Sequence, residues 1–244
     1  MQNRQIVLKA HPQGAPTPDD FDLSTCEAPM PGEGQMLVRN LFFSLEAAIR
    51  GWLDGKANYF EPIPLGGAIR GPSVAKVITS HLPGFEAGDL VFGLHHWEDY
   101  SLSDANTILL SKLTPEADIP LSYYAGGLGG SGHTAYVGLH EIGKIQAGDT
   151  VLISAAAGAT GSMATQIAKL RGCKVVGIVG GDNKCQIVTD TLGADAAINY
   201  KTCEDLTSAM HEACPEGVDV YFDNVGGKTL DAALNCMNTF GRII

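Results

Sequence analysis

One stretch constrains this chain more than any other: Thr150-Val151-Leu152-Ile153-Ser154 runs straight into Ala155-Ala156-Ala157-Gly158-Ala159-Thr160-Gly161, and a helical pattern follows. A short apolar run bounded by small residues reads as a strand buried on both faces. A strand, a tight turn and a helix N-terminus together suit a pyrophosphate, because free backbone N–H groups and the helix dipole both favour an anion. Against the pattern Gly-x-Gly-x-x-Gly, the three positions fall on Ala156, Gly158 and Gly161. Gly158 lets the backbone approach phosphate, and Gly161 lets the helix pack closely on the strand. Ala156 replaces the first glycine, so the bare motif is imperfect, and its weight comes from the strand, helix and next strand around it. The candidate pyrophosphate contacts are Ala156, Gly158, Ala159, Thr160 and Gly161. A plain helix–strand packing turn is the bland alternative, and it leaves the run of small residues unexplained.

The surrounding rhythm agrees. Lys174 to Val179, Ala196 to Asn199 and Val218 to Phe222 are further short apolar runs, separated by helical stretches such as Gly161 to Arg171 and Asn183 to Leu192. Buried strands alternating with helices are the pattern of a parallel, doubly wound sheet. Gly172 and Gly193 fall where helix-terminating glycines belong. The first half differs, with short strand-like runs such as Gln35 to Arg39 and Leu90 to Phe92 set between Pro/Gly turns. The division predicted is a mostly β unit over residues 1–118 and a Rossmann unit over 119–244. A Gly-Asp-x-Val turn occurs in both, at Gly88 and at Gly148.

Which dinucleotide the site takes turns on the end of the second strand. NAD enzymes place a carboxylate there for the ribose hydroxyls. Gly180 is the first residue past that strand, Asp182 lies two further on, and Lys184 offers a positive charge to a 2′-phosphate. By spacing alone, Asp182 and Lys184 tie.

Charge narrows the partner. Asp and Glu outnumber Lys and Arg by 27 to 16 in 244 residues, with no basic block. That argues against nucleic acid, whose phosphates need clustered Lys and Arg, and favours a small molecule. The first ten residues have no signal-peptide core, and no run approaches the roughly 18 to 20 apolar residues of a membrane span. Cys26, Cys173, Cys185, Cys203, Cys214 and Cys236 lack short pair spacings and read as reduced thiols of a cytoplasmic protein. A catalytic zinc needs three ligands and a structural one four, and no Cys-x-x-Cys occurs. The adjacent pair His95-His96 is placed in a loop before Trp97, where solvent or a structural hydrogen bond suits it better than a metal.

Several motifs resemble one family. Ala155 to Ser162, Gln166-Ile167-Ala168-Lys169, Gly172 to Gly177, Asp195 to Lys201 and Asp223-Asn224-Val225-Gly226-Gly227 look like the zinc-independent medium-chain reductases. The subgroup is that of prostaglandin reductases, alkenal double-bond reductases and bacterial curcumin reductase. Pro31-Gly32-Glu33-Gly34-Gln35, Trp97-Glu98-Asp99-Tyr100 and Gly132-His133-Thr134-Ala135-Tyr136 are similar to its curcumin-reductase branch. The resemblance implies a chaperonin-10-like β catalytic domain followed by a Rossmann doubly wound parallel sheet, with NADPH in the cleft between them and a homodimeric assembly. It makes Lys184 the 2′-phosphate ligand, Tyr200 a neighbour of the adenosine ribose-phosphate, Asn224 a neighbour of the nicotinamide half, and Thr134 part of the helix facing the nicotinamide. Gly66-Gly67-Ala68-Ile69-Arg70-Gly71 stands where zinc-dependent relatives carry Gly-His-Glu.

The implied reaction is hydride transfer from NADPH to the β-carbon of an α,β-unsaturated ketone or aldehyde. Charge then grows on the carbonyl oxygen, where a hydrogen-bond donor lowers the barrier. Tyr59 matches a tyrosine that resembling reductases place at the substrate mouth and is the catalytic candidate, against a packing role. Trp97 and Tyr100 are candidate pocket walls, against a core role. Ala48 stands where relatives often carry Tyr, in the segment leading to Arg50, which widens the pocket or changes the substrate. The sequence stops at Phe240-Gly241-Arg242-Ile243-Ile244, at what reads as the fifth Rossmann strand, whereas relatives continue. A partial chain, with an exposed apolar sheet edge and poor stability, is therefore expected. Two other functions compete: a quinone reductase of the same superfamily, and a catalytically idle NADPH-binding protein.

Overall fold

Antiparallel pairing builds the first unit, Met1–Gly126, of a computed structural model that describes residues 1–56 and 60–244. Strand β1 (Gln2–Leu8) pairs with β2 (Phe21–Glu27), Gln2 lying opposite Glu27 and Leu8 opposite Phe21. Strands β3 (Gln35–Phe43), β4 (Arg70–Ser80), β5 (Leu90–His96), β6 (Tyr100–Asp104) and β7 (Ser111–Leu113) form a five-stranded sheet in the order β6-β3-β4-β5-β7. Inward positions alternate with outward ones, as a pleat with one covered face requires. On β5, Val91, Gly93 and His95 are buried and their neighbours less so.

Two apolar clusters hold this unit. Leu8, Ile49, Trp52, Leu53, Ile63 and Ile69 form one, with Ile49 and Trp52 supplied by the short helix α1 (Ala48–Trp52). Met36, Val38, Ala75, Val77, Leu82 and Val91 form the other. Helix α2 (Leu121–Ala125) packs on β3 and β4 and so belongs to this unit.

The histidine pair is not in a loop. β5 runs on through His95 and His96 because Arg70 and Gly71 of β4 stay in register with them. His95 is buried, its Nδ1 2.7 Å from Ser73 Oγ and its Nε2 3.3 Å from Ser103 Oγ.

In the second unit, Gly127–Ile244, five parallel strands form one sheet. They are β8 (Thr150–Ser154), β9 (Lys174–Val179), β10 (Ala196–Asn199), β11 (Val218–Phe222) and β12 (Met237–Ile243), in the order β10-β9-β8-β11-β12. The chain winds outward from β8 to β10, then returns to the other side of β8, which is the doubly wound arrangement. Strand residues divide by parity between two cores. Val151, Ile153 and Val175 face Ala135 of α3 (Gly130–Val137) and Ala164 and Ala168 of α4 (Ala159–Leu170). Leu152, Val176 and Ile178 face the opposite cluster, with Met210 of α6 (Leu206–Ala213) and Ala233 of α7 (Gly227–Leu234). The remaining helix, α5 (Asp182–Gln186), continues as a π-helical turn, Ile187–Thr191.

Helix ends follow the sequence signals. Gly172 and Gly193 adopt φ of +80° and +79°, the left-handed region that glycine enters at least cost. Asp205 caps α6 by accepting from Ser208 N at 2.6 Å. β12 lies at the sheet edge, where Phe240 and Ile243 are exposed. No helix among the described residues is long and apolar enough to cross a membrane.

Candidate nucleotide-binding site

The carboxyl ends of β8 and β11 flank the point where strand order reverses, the place where open α/β sheets hold ligands. β8 ends at Ser154, and Ala155 turns sharply with a left-handed φ of +48°. Gly158 then N-caps α4 and directs the helix N-terminus into the crevice. The protein's own atoms crowd out a side chain at three glycines. A Cβ on Gly161 would lie 2.2 Å from Ala155 O and 2.8 Å from Ala156 Cα, and one on Gly158 would lie 3.0 Å from Ala155 O. One on Gly180 would sit 2.7 Å from the Tyr200 hydroxyl. The close packing of the α4 N-terminus on the Ala155 turn therefore requires glycine at 161.

The imperfect first position has a physical explanation. Ala156 is fully buried, and its Cβ faces Gly177 on β9, where any added Cβ would approach it to 2.8 Å. The methyl group at 156 is accommodated because 177 has none. Ala156 thus serves packing, and its N–H donates to Ile178 O at 3.2 Å.

A cavity of about 320 Å³ opens beside this loop. Ser154, Gly158, Val179, Gly180, Lys184 and Tyr200 are among its lining residues. Gly158, Gly180, Lys184 and Tyr200, spread over more than forty positions of sequence, are thereby brought together. Asp182 does not line the cavity. Its Oδ1 accepts from Asn199 Nδ2, on the next strand, at 2.7 Å.

Joined to the lining residues Ser154 and Val225 is a polar cluster that spacing does not reveal, whose Tyr221, Asp223 and Asn224 do not themselves line the cavity. Asp223 Oδ1 accepts from Ser154 Oγ at 3.1 Å, Tyr221 Oη at 2.9 Å, Val225 N at 3.0 Å and Gly226 N at 2.8 Å. Burial alone would raise the pKa of this carboxyl group, but the Gly226 and Val225 N–H groups, with Tyr221 and Ser154, hold it below the usual range. Tyr221 shifts up, through burial and then the adjacent Asp223 charge. Gly226 and Gly227 take φ of +72° and +55°, which the tight Asp-Asn-Val-Gly-Gly turn needs. Asn224 is locked to β8: its N–H donates to Ser154 Oγ at 2.7 Å and its Nδ2 to Ser154 O at 2.8 Å. Ser154, Tyr221 and Asp223 carry no motif weight individually. Their signal was the strand end and the acidic start of the matching pentapeptide.

Other expected residues stand apart from this cavity. Ala159 and Thr160 open α4 at its free end, without lining the cavity. Thr134 is exposed on α3, and its hydroxyl donates to Gly130 O at 2.8 Å. Tyr59 lies outside the described residues. In the first unit, Trp97 packs 6.2 Å from the Phe43 ring centroid and lines a separate groove with Ile6, Leu41 and Leu45, whereas Tyr100 stacks under Arg39 at 5.9 Å. Arg50 has a structural task, donating to Gly14 O at 2.8 Å and Pro12 O at 3.0 Å.

A glycine loop at the switch point, a helix N-terminus aimed into it and a lysine past the second strand define a dinucleotide-binding protein of Rossmann type. Residues 4–110 match the family described as the N-terminal domain of oxidoreductase, and residues 159–244 the family described as zinc-binding dehydrogenase. The chain is 40% identical over 242 residues to the NADPH-dependent curcumin reductase of Escherichia coli (strain K12), covering 99% of this chain and 69% of that protein. It is 40% identical over 247 residues to the 2-alkenal reductase (NADP(+)-dependent) of Nicotiana tabacum, covering 100% and 71%. The crystal structure of CurA from Vibrio vulnificus in complex with NADPH superposes with a TM-score of 0.89 at 42% identity, covering 98% and 70%. The chain belongs to the medium-chain dehydrogenase/reductase family, in the subgroup of curcumin, alkenal and prostaglandin reductases.

Proposed function

We propose that this protein reduces the C=C bond of α,β-unsaturated ketones and aldehydes with NADPH. The observation that carries the cofactor half is the cavity at the end of β9, where Lys184 and Tyr200 converge on Gly180. A lysine ammonium there favours a 2′-phosphate, and Asp182, held by Asn199, is not among the residues that line the cavity. The C=C half rests on relatives that bear alkenal and curcumin reductase names.

NADPH, when bound, supplies a hydride. The chain's residues do the rest. Backbone N–H groups of Ala159, Thr160 and Gly161 receive the pyrophosphate at the head of α4, where the Gly158 N–H is already given to Ala155 O at 2.8 Å and Ala156 packs beneath. Lys184 and Tyr200 hold the adenosine phosphate end. Asn224, fixed by Ser154, and Thr134 position the nicotinamide half. Tyr59 donates a hydrogen bond to the substrate carbonyl oxygen as negative charge grows on it, which lowers the barrier.

This chemistry needs no metal. Among the described residues, no group of three or more His, Cys, Asp or Glu is placed to hold one. The reading includes a cytoplasmic homodimer acting on a small-molecule enone.

The test is NADPH oxidation at 340 nm against a panel of 2-alkenals, cyclic enones and quinones. Turnover of alkenals and enones in wild type, reduced at least tenfold in Tyr59→Phe, is expected. Turnover of quinones alone would favour a quinone reductase, and tight NADPH binding without any turnover would mark an idle binding protein.

A further inference from the structure

We infer that Asn199 is a specificity-determining residue, which favours NADPH over NADH by pinning the Asp182 carboxylate outside the nucleotide cavity. The inference rests on the cofactor reading above and goes beyond it, since the contact residues Lys184 and Tyr200 do not include Asn199.

The geometry is specific at both ends of the Asn199 amide. Nδ2 donates to Asp182 Oδ1 at 2.7 Å, and Oδ1 accepts from Lys201 N at 3.1 Å. Turning the amide over would set oxygen against carboxylate and NH₂ against N–H, so both bonds fix one orientation. Asn199 is the last residue of β10 and is only partly buried, directly before Tyr200, which lines the cavity. Asp182 sits between two other lining residues, Gly180 and Lys184.

That placement makes Asp182 a latent problem for one nucleotide and an asset for the other. A carboxylate free to swing at the end of β9 accepts hydrogen bonds from ribose hydroxyls, which suits NADH. The same carboxylate repels a 2′-phosphate and competes with it for the Lys184 ammonium. A neutral donor on the neighbouring strand leaves the charge in place but holds it out of the cavity, which weakens both effects and leaves Lys184 available. Asn199 therefore acts through Asp182 and touches the nucleotide only indirectly.

The experiment is a fluorescence titration of NADPH and of NADH against wild type, Asn199→Ala, Asp182→Asn and the double variant. Wild type prefers NADPH. Asn199→Ala weakens NADPH and tightens NADH, each by about three- to fivefold, the range of exposed charge interactions. The double variant regains a preference close to that of wild type, because the freed carboxylate is gone. Asn199→Ser, too short to bridge to Asp182, repeats the measurement should the alanine variant fail to fold, and is expected to behave as Asn199→Ala does. Equal losses for both nucleotides, or a shifted preference that persists in the double variant, would overturn the inference while leaving the cofactor reading intact. Absence of NADPH preference in wild type would overturn both.

Discussion

Glu98 and Asp223 are two carboxylates doing similar chemistry in different units, and they differ in where their partners come from. Glu98 is buried in the first unit, accepting from Asn3 Nδ2 at 2.9 Å, Gln5 Nε2 at 2.5 Å and Ser101 Oγ at 2.8 Å. Two of those donors lie more than ninety residues away along the chain. Asp223 takes two of its four donors from the next three residues and one from Tyr221, two residues before it. Both carboxyl groups stay below the usual pKa range although burial, the largest influence on each, opposes that. A long-range network ties β1 to the segment before β6 and serves folding. A short-range one shapes a turn and serves the crevice.

The largest expected effect follows from the first of these. Glu98→Ala removes an acceptor from the buried Asn3 amide, which keeps Tyr100 O, and from the half-buried Gln5 amide, so the first unit loses about 3 kcal/mol by denaturant unfolding. A loss below about 1 kcal/mol would show that water replaces the carboxylate easily and would dissolve the contrast.

The next effect is one of pH. His95 is pushed down to about 4, chiefly by burial, with His96 lowering it further and Glu98 opposing. A depressed histidine stabilises fully above its unfolded value near 6.5, and that stability is lost as pH falls towards 4, for roughly 2 to 3 kcal/mol. The two carboxylates contribute above the ordinary carboxyl range and lose their share only as pH falls through their lowered values. Wild-type stability should therefore fall first between about pH 6.5 and 4, and His95→Gln should flatten that limb alone. An unchanged limb in the variant would assign it to another group.

Asp223→Ala is the smallest for stability and the more telling for function. About 1 to 2 kcal/mol of stability is expected to go, while NADPH affinity falls about tenfold as the Asn224 turn loosens. Comparable affinity loss in Glu98→Ala would erase the distinction between a folding network and a site network.

The same contrast explains what could be read from the amino acids. The four strands expected at Thr150 to Ser154, Lys174 to Val179, Ala196 to Asn199 and Val218 to Phe222 are present at those bounds, because each is a short, mainly apolar run. The edge strand read from Phe240 begins earlier, at Met237, where Asn238 and Thr239 break the apolar signal. The Gly-Asp-x-Val turns also repeat structurally: Asp89 and Asp149 each accept from the backbone N–H three residues earlier, Glu86 at 2.8 Å and Gln146 at 3.0 Å. Long-range pairings were not legible. Nothing local joins Asn3 to Glu98, nor keeps His95 in β5, since that depends on register with β4. At the site, the loop and Lys184 carried a local signal, whereas the fate of Asp182 was decided by Asn199, seventeen residues on.

The most direct test of the nucleotide assignment is the affinity of wild type and Lys184→Ala for NADPH and NADH. Wild type is expected to prefer NADPH, and that preference to shrink at least tenfold in the variant with NADH binding nearly unchanged, because the ammonium meets only the 2′-phosphate. Equal binding of both nucleotides by wild type, or a variant that keeps the full preference, would contradict it.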